Sequence, residues 1–290
     1  MTLLPNPQPY LSQASAPLTQ DVSVLDEFGL TRRIQIPAER ALTVFVDKRE
    51  LVTLMTLGAS PELLVLGYLR NQRLVDAAAD VDSVTVDWEV SAAAVKTRSG
   101  IEAFDAKTAK RVVTTGCGQG TMFGDLMSDV ESLQLPPEND PSARLSQAAL
   151  YGLLGAIRVQ ESTYKSAGSV HGCALFKQDE LLTFVEDVGR HNAVDTIAGW
   201  MWMNSVLGGD KTFYTTGRLT SEMVIKAAQM GVPIIVSRSG ITQMGLQLAQ
   251  QLGLCLVGRA TNRHFIVYSG LARFDSQPEA KSGSKSEAAR

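Results

Sequence analysis

Three acids, an arginine and an imidazole crowd the ten-residue stretch EDVGRHNAVD, from Glu186 to Asp195, directly after the apolar run LLTFV. The order predicts a strand ending at Glu186 and Asp187, a turn at Gly189, and a helix opened by Arg190, His191 and Asn192. A junction of this kind suits an anion. Free N–H groups at a helix start and a cation attract phosphate, while the acids hold Arg190 and His191 or accept hydrogen bonds from a base or ribose. The plainer reading is a capped helix with a local salt bridge. Three further turns weigh against it. Gly217 and Arg218 follow KTFYTT, Arg238 and Ser239 follow VPIIVS, and Arg259, Ala260, Thr261, Asn262, Arg263 and His264 follow LCLVG. In an open α/β sheet all four turns would fall at the carboxyl ends of strands, where ligands bind, and together they could surround an extended ligand bearing several phosphates. None is a Walker loop or a G-x-G-x-x-G fingerprint, so ordinary ATP or NAD use is not signalled.

A thiol is the second candidate. Cys117 stands in TTGCGQG between Gly116 and Gly118, where backbone freedom and little steric cover suit a nucleophile or carrier; a glycine-rich turn that happens to contain a cysteine is the alternative. Cys173 and Cys255 sit inside apolar strand patterns and read as core residues. His171, two positions before Cys173, is either a core histidine or points into the cleft. Three histidines without an H-x-E, and no paired cysteines, cannot assemble the zinc site of a nucleobase deaminase, so no metal is expected.

The elements that would carry these residues fall into two halves. Residues 1–20 are rich in Pro, Gln and Ser and are expected to be disordered, as is the polar tail 275–290. Between them, 21–140 reads as a β-rich domain with a helix opened by Ser60 and Pro61, ending in the Cys117 loop. From 141 to 274 the pattern is helix, two strands, then alternating helices and strands, closing on two adjacent strands. This predicts a layered α/β domain with a mixed sheet, in an order reminiscent of the cytidine deaminase fold. The apolar stripe Trp200–Met203 suits a buried helix or a dimer face. A net charge of −3 over 290 residues argues against a general nucleic-acid or membrane-surface binder. The odd cysteine count favours a reducing cytoplasm, and no run approaches a membrane span.

Taken together, SPELLVLGYL at 60–69, TTGCG at 114–118, Gly168, His171 and Ala174 in G-x-x-H-x-x-A, EDVGRHNAVD, TGRLTSEMVIKAAQMGVPIIVS at 216–237 and LVGRATNRHFIVYS at 256–269 resemble the FdhD/NarQ family of formate dehydrogenase accessory sulfurtransferases. The resemblance implies a three-layer cytidine deaminase-like fold without zinc. It also implies a protein that takes sulfur from a cysteine desulfurase and passes it to molybdenum in the bis(molybdopterin guanine dinucleotide) cofactor, required for activity of the formate dehydrogenase catalytic subunit. By carry-over Cys117 bears the persulfide, and Arg259 to His264 contact the cofactor's guanine-nucleotide end, with Arg190, His191, His171, Arg218 and Arg238 around it. A homodimer is the expected assembly. The family usually has C-x-x-C at the glycine loop; here Gly120 takes the second position, and Arg259 stands where an aromatic is common. The competing reading is therefore a non-enzymatic cofactor chaperone that has lost sulfur transfer.

Overall fold

Alternating apolar residues in RALTVFV and VDSVTVD make strands with one face for a core and one for solvent. The computed structural model describes residues 8–101, 104, 111–114, 120–123, 133–160 and 162–277. In its first half, β1 (Tyr10–Leu11), β4 (Arg40–Val46), β5 (Arg49–Thr56), β6 (Val81–Asp87) and β7 (Ala92–Thr97) form one sheet in the order β1-β6-β7-β4-β5. Helix α1 (Pro61–Asn71) covers it, and Leu42, Val44, Leu54, Leu64, Val65 and Val84 are buried between them. The two-residue turn joining β4 to β5 puts both Asp47 and Lys48 at positive φ (47° and 71°), the backbone that matches the twist of a tight hairpin. No glycine is present to ease it; instead the Asp47 carboxylate accepts from the Thr97 N–H and hydroxyl at 3.0 and 2.6 Å.

The Pro- and Ser-rich opening was expected to lie outside the fold as far as residue 20, and from Tyr10 onward it does not. Tyr10 and Leu11 pair in parallel with Ser83 and Val84. The Ser12 hydroxyl and the Ala14 N–H donate to the buried Glu62 carboxylate at 2.5 and 2.6 Å. A strand of two residues has no periodicity to read, and its anchor lies on another element. β2 (Thr19–Leu25) and β3 (Thr31–Pro37) form a separate hairpin.

β8 (Arg111–Thr114) and β9 (Gly120–Phe123) pair antiparallel, with Thr114 opposite Gly120. Cys117 falls on the connection between them and lies outside the described residues.

The second half holds a six-stranded sheet in the order β12-β11-β13-β14-β15-β16: β11 (His171–Lys177), β12 (Glu180–Asp187), β13 (Thr212–Thr215), β14 (Ile234–Ser237), β15 (Cys255–Thr261) and β16 (His264–Ser269). β13, β14 and β15 run parallel, while β11–β12 and β15–β16 pair antiparallel, giving the mixed sheet expected. Successive residues of each strand enter opposite cores. Cys173, Leu175, Phe213, Ile235 and Leu256 pack with α4 (Arg190–Met203), α5 (Ser221–Gln229) and α6 (Gln243–Gln251). Ala174, Phe176, Tyr214, Val236 and Val257 pack under α2 (Gln147–Val159). Just before α2, β10 (Leu145–Ser146) pairs in parallel with β17 (Phe274–Asp275), so the tail expected to be disordered from 275 is still part of the fold at Asp275. α3 (Thr163–Ala167) is a short helix before β11. The result is a three-layer mixed α/β arrangement, and no helix among the described residues is long and apolar enough to cross a membrane.

α4 belongs to both halves. Met201 is in the α/β core, whereas Trp202 and Met203 pack on the core of the first sheet. α1 and α4 approach backbone to backbone: a Cβ on Gly67 would lie 1.7 Å from the Asp195 carbonyl oxygen, and one on Gly199 2.0 Å from that of Leu63.

Candidate functional site

Strand register brings the predicted turns together. His171 pairs with Asp187, Cys173 with Thr215, and Thr215 with Ser237, so the start of β11 and the ends of β12, β13 and β14 share one sheet edge. β15 runs past that edge to Thr261 before turning back at Asn262. Small hydroxyls at the strand ends hold the turns. Thr215 Oγ1 accepts from the Gly217 N–H at 3.0 Å, and Ser237 Oγ donates to the Gly217 carbonyl at 2.6 Å while accepting from the Ser239 N–H at 2.9 Å. Gly217 is required by packing, because a Cβ there would meet Arg190 Cδ at 2.8 Å.

Above this edge lies a cavity of about 660 Å³. Of the predicted residues, His171, Arg238, Ala260, Thr261 and Asn262 line it. Glu186, Tyr214, Arg158 and Lys165 complete its polar wall. Arg259, Arg263 and His264 do not line it. Arg259 adopts a left-handed φ of 51° and is exposed, Arg263 stacks 5.7 Å over the Tyr151 ring, and His264 is exposed on the hairpin. Arg218 is also exposed outside the lining, and with Arg190 it lowers the His171 pKa, although burial is the larger cause.

The EDVGRH junction is built differently from the expectation that its own acids hold its cations. Asp187 is buried and accepts from Thr56 Oγ1 (2.5 Å), the Leu57 N–H (3.1 Å), the Gly189 N–H (3.0 Å) and Asn192 Nδ2 (2.8 Å), so it ties β5 to the start of α4. Burial raises its pKa despite these bonds. Glu186 faces the cavity while its oxygens cap α3, accepting from the Thr163 and Tyr164 N–H groups at 2.6 and 3.3 Å. His191 is held by an acid thirty-one positions later, with Nε2 3.1 Å from Glu222 Oε2 on α5. Burial first, then the charges of Lys226, Arg190 and His171, drive its pKa down to about 2, so the ring is neutral and Nε2–H donates to Glu222. His191 Nδ1 and Arg190 Nε are left buried without a partner. Beneath them Lys226 Nζ meets Asp195 at 2.7 Å, and Asn71 of α1 donates to the same carboxylate at 2.7 Å. Arg190 and His191 thus stand behind the cavity wall.

Cys173 and Cys255 are fully buried, as their strand positions predicted, and burial pushes both thiols up to about 12. Neither is a thiolate in this environment. Sequence reading missed Arg158, Lys165 and Tyr214. The signal for Lys165 was available, since Ser162 precedes a short helical pattern and its Oγ accepts from the Lys165 N–H at 3.3 Å. The chemistry on offer is anion binding. Arg238, Arg158 and Lys165 at the wall, with Arg190 and Arg218 beside it, outnumber the single carboxylate of Glu186.

A family model described as the FdhD/NarQ family matches residues 37–275. A sulfur carrier protein FdhD of Listeria innocua is 30% identical over 250 residues, 85% of this chain and 95% of that protein. One of Bacillus subtilis is 31% identical over 232 residues, 80% and 87% of the two chains. The crystal structure of a candidate formate dehydrogenase accessory protein from Desulfotalea psychrophila superposes with a TM-score of 0.70 at 24% identity, covering 89% of this chain and all of that one, and so shares the fold. With the family model spanning β4 to β16 and the edge on which the cavity lies, this chain belongs to the FdhD/NarQ family.

Proposed function

We propose that this protein is a sulfur carrier in formate dehydrogenase maturation, accepting persulfide sulfur from a cysteine desulfurase at Cys117 and passing it to the bis(molybdopterin guanine dinucleotide) molybdenum cofactor. In the first step the Cys117 thiolate attacks the outer sulfur of the donor's persulfide. The donor's S–S bond breaks, the donor leaves as a thiolate, and Cys117 becomes the persulfide. The names of the relatives support the role. The observation that carries the ligand half of the reading is the cationic cavity at the carboxyl edge of the sheet.

That cavity tests the cargo by size as well as charge. Its volume of about 660 Å³ lies within the ~300–1,000 Å³ typical of a pocket for one drug-sized ligand. It suits one guanine-nucleotide end, with the metal and pterins outside. Arg238 and Lys165 would hold phosphate, and Thr261 and Asn262 the sugar or base; Arg190 and Arg218 supply field rather than contact, and the neutral His191 stays behind the wall. This reading includes a cytidine deaminase-like second domain used without zinc, the formate dehydrogenase catalytic subunit as recipient, and a homodimer.

After incubation with a cysteine desulfurase and cysteine, mass spectrometry is expected to find one added sulfur on Cys117, and Cys117→Ala is expected to leave formate dehydrogenase inactive. Full activity with Cys117→Ala would overturn sulfur transfer. It would favour the second reading, which Gly120 in place of a second loop thiol supports: a chaperone that binds and delivers the same cofactor.

A further inference from the structure

At the opposite end of the six-stranded sheet, where the chain enters β13 and β14, the end of α1 and the last turn of α4 enclose a second cavity of about 460 Å³. Its floor is apolar, formed by Val206 and the Trp202 ring, with Met201 and Met230 buried beneath them. Arg70 is set into this wall, its guanidinium 5.1 Å over Trp202 and its Nη1 donating to the Ala198 carbonyl at 2.8 Å. Among the described residues it has no ion pair, although Asp76 stands on the same rim. Burial pulls the guanidinium down to about 10, and no carboxylate opposes that shift.

A cation withdrawn from water without a counter-charge loses solvation that nearby protein has not replaced, and an arriving carboxylate restores the balance. Arginine offers that carboxylate a two-pronged donor fork. Trp and Arg are among the side chains that concentrate binding energy at protein interfaces. Leu207, 83% exposed at the rim, extends the apolar surface beyond the cavity, which a protein segment can use and an enclosed metabolite cannot.

We propose that this groove docks a segment of a partner protein in which an acidic side chain neighbours bulky apolar ones, the carboxylate on Arg70 and the apolar groups against Trp202, Val206 and Leu207. The site is separate from the cationic cavity and does not depend on the sulfur-carrier reading.

The test is fluorescence anisotropy of the full-length protein against two fluorescein-labelled peptides, one a Leu-Leu-Glu repeat and the other a Leu-Leu-Lys repeat. The acidic peptide is expected to bind and the basic one not. Arg70→Gln should weaken binding roughly tenfold or more, with Arg70→Lys recovering part of the loss. Leu207→Asp, at a position too exposed to disturb folding, should weaken it comparably. Equal binding of both peptides, no binding of the acidic one, or undiminished binding by both Arg70→Gln and Leu207→Asp would overturn the proposal. Benzoate competing as tightly as the peptide would reassign the groove to small carboxylates and overturn it as well.

Discussion

Arg238 is exposed, lines the cavity, and packs against nothing the core requires, which makes it the cleanest probe of the anion site. A hydrogen bond between charged partners contributes about 1.5–3 kcal/mol, so Arg238→Ala is expected to weaken GDP binding by roughly 10- to 100-fold with an unchanged melting temperature, as titration calorimetry would read. His191 gives a different kind of prediction. Its folded pKa lies near 2 against 6.5 for the free side chain. As pH falls below 6.5 the unfolded chain gains a proton that the folded chain refuses. The stability this group supports is therefore complete above that pH and lost on acidification, by about 2 kcal/mol at pH 5. Burial shifts Asp187 and Asp195 upward, with the opposite sign in a more acidic window. The comparison to make is therefore between chains: urea midpoints at pH 7.5 and 5 should differ more for the wild type than for His191→Gln. The residue types at EDVGRH announced a charged junction, but their partners could not be read from it. Thr56, Glu222 and Lys226 are supplied by other elements, and local sequence carries no record of which element will arrive.

Elements with strong periodicity were legible. The strand pair at β11 and β12, the alternation that follows, and the helix beginning at Arg190 stand where the pattern placed them. Helix crossing was not legible, because a glycine in LGYL or IAGW looks like weak helix propensity until the facing backbone is known. Gly67 and Gly199 let α1 and α4 touch through their main chains. Ala at either position forces these helices apart, and a loss of at least ~3 kcal/mol or failure to fold is expected. Gly155 in α2, where a Cβ would meet nothing within 4 Å, is the control. Gly155→Ala should be neutral or stabilising by up to ~1 kcal/mol. Chemical denaturation of the three variants measures both.

Across the whole molecule, the two halves read from the sequence have separate cores but common supports. The segment around residues 135–141 suggested a boundary, yet the buried Arg273 spans it, donating to the Pro136 and Pro137 carbonyls at 2.5 and 3.2 Å and to that of Gly253 at 2.8 Å. Together with the α1–α4 contact and the Asp187 bonds to Thr56 and Leu57, this couples the sheets. Unfolding is expected as one transition, coincident by circular dichroism and tryptophan fluorescence. In Asp187→Ala the two probes should separate as the first sheet loosens; coincident midpoints in that variant would show that the helix contact alone suffices. Such supports are long-range, over 130 residues in the case of Thr56 and Asp187, which is why composition shifts marked a border that packing then bridges.

One small arrangement near the amino terminus has a practical bearing. The Glu62 carboxylate sits 4% exposed in the first turn of α1, and its two donors come from Ser12 and Ala14. Nibbling by an exopeptidase that stops at Gln8 leaves that acid satisfied, whereas removal of a few residues more would strand a negative charge in a dry setting. How far the front of this polypeptide can be shortened is thus decided by one glutamate some fifty positions downstream.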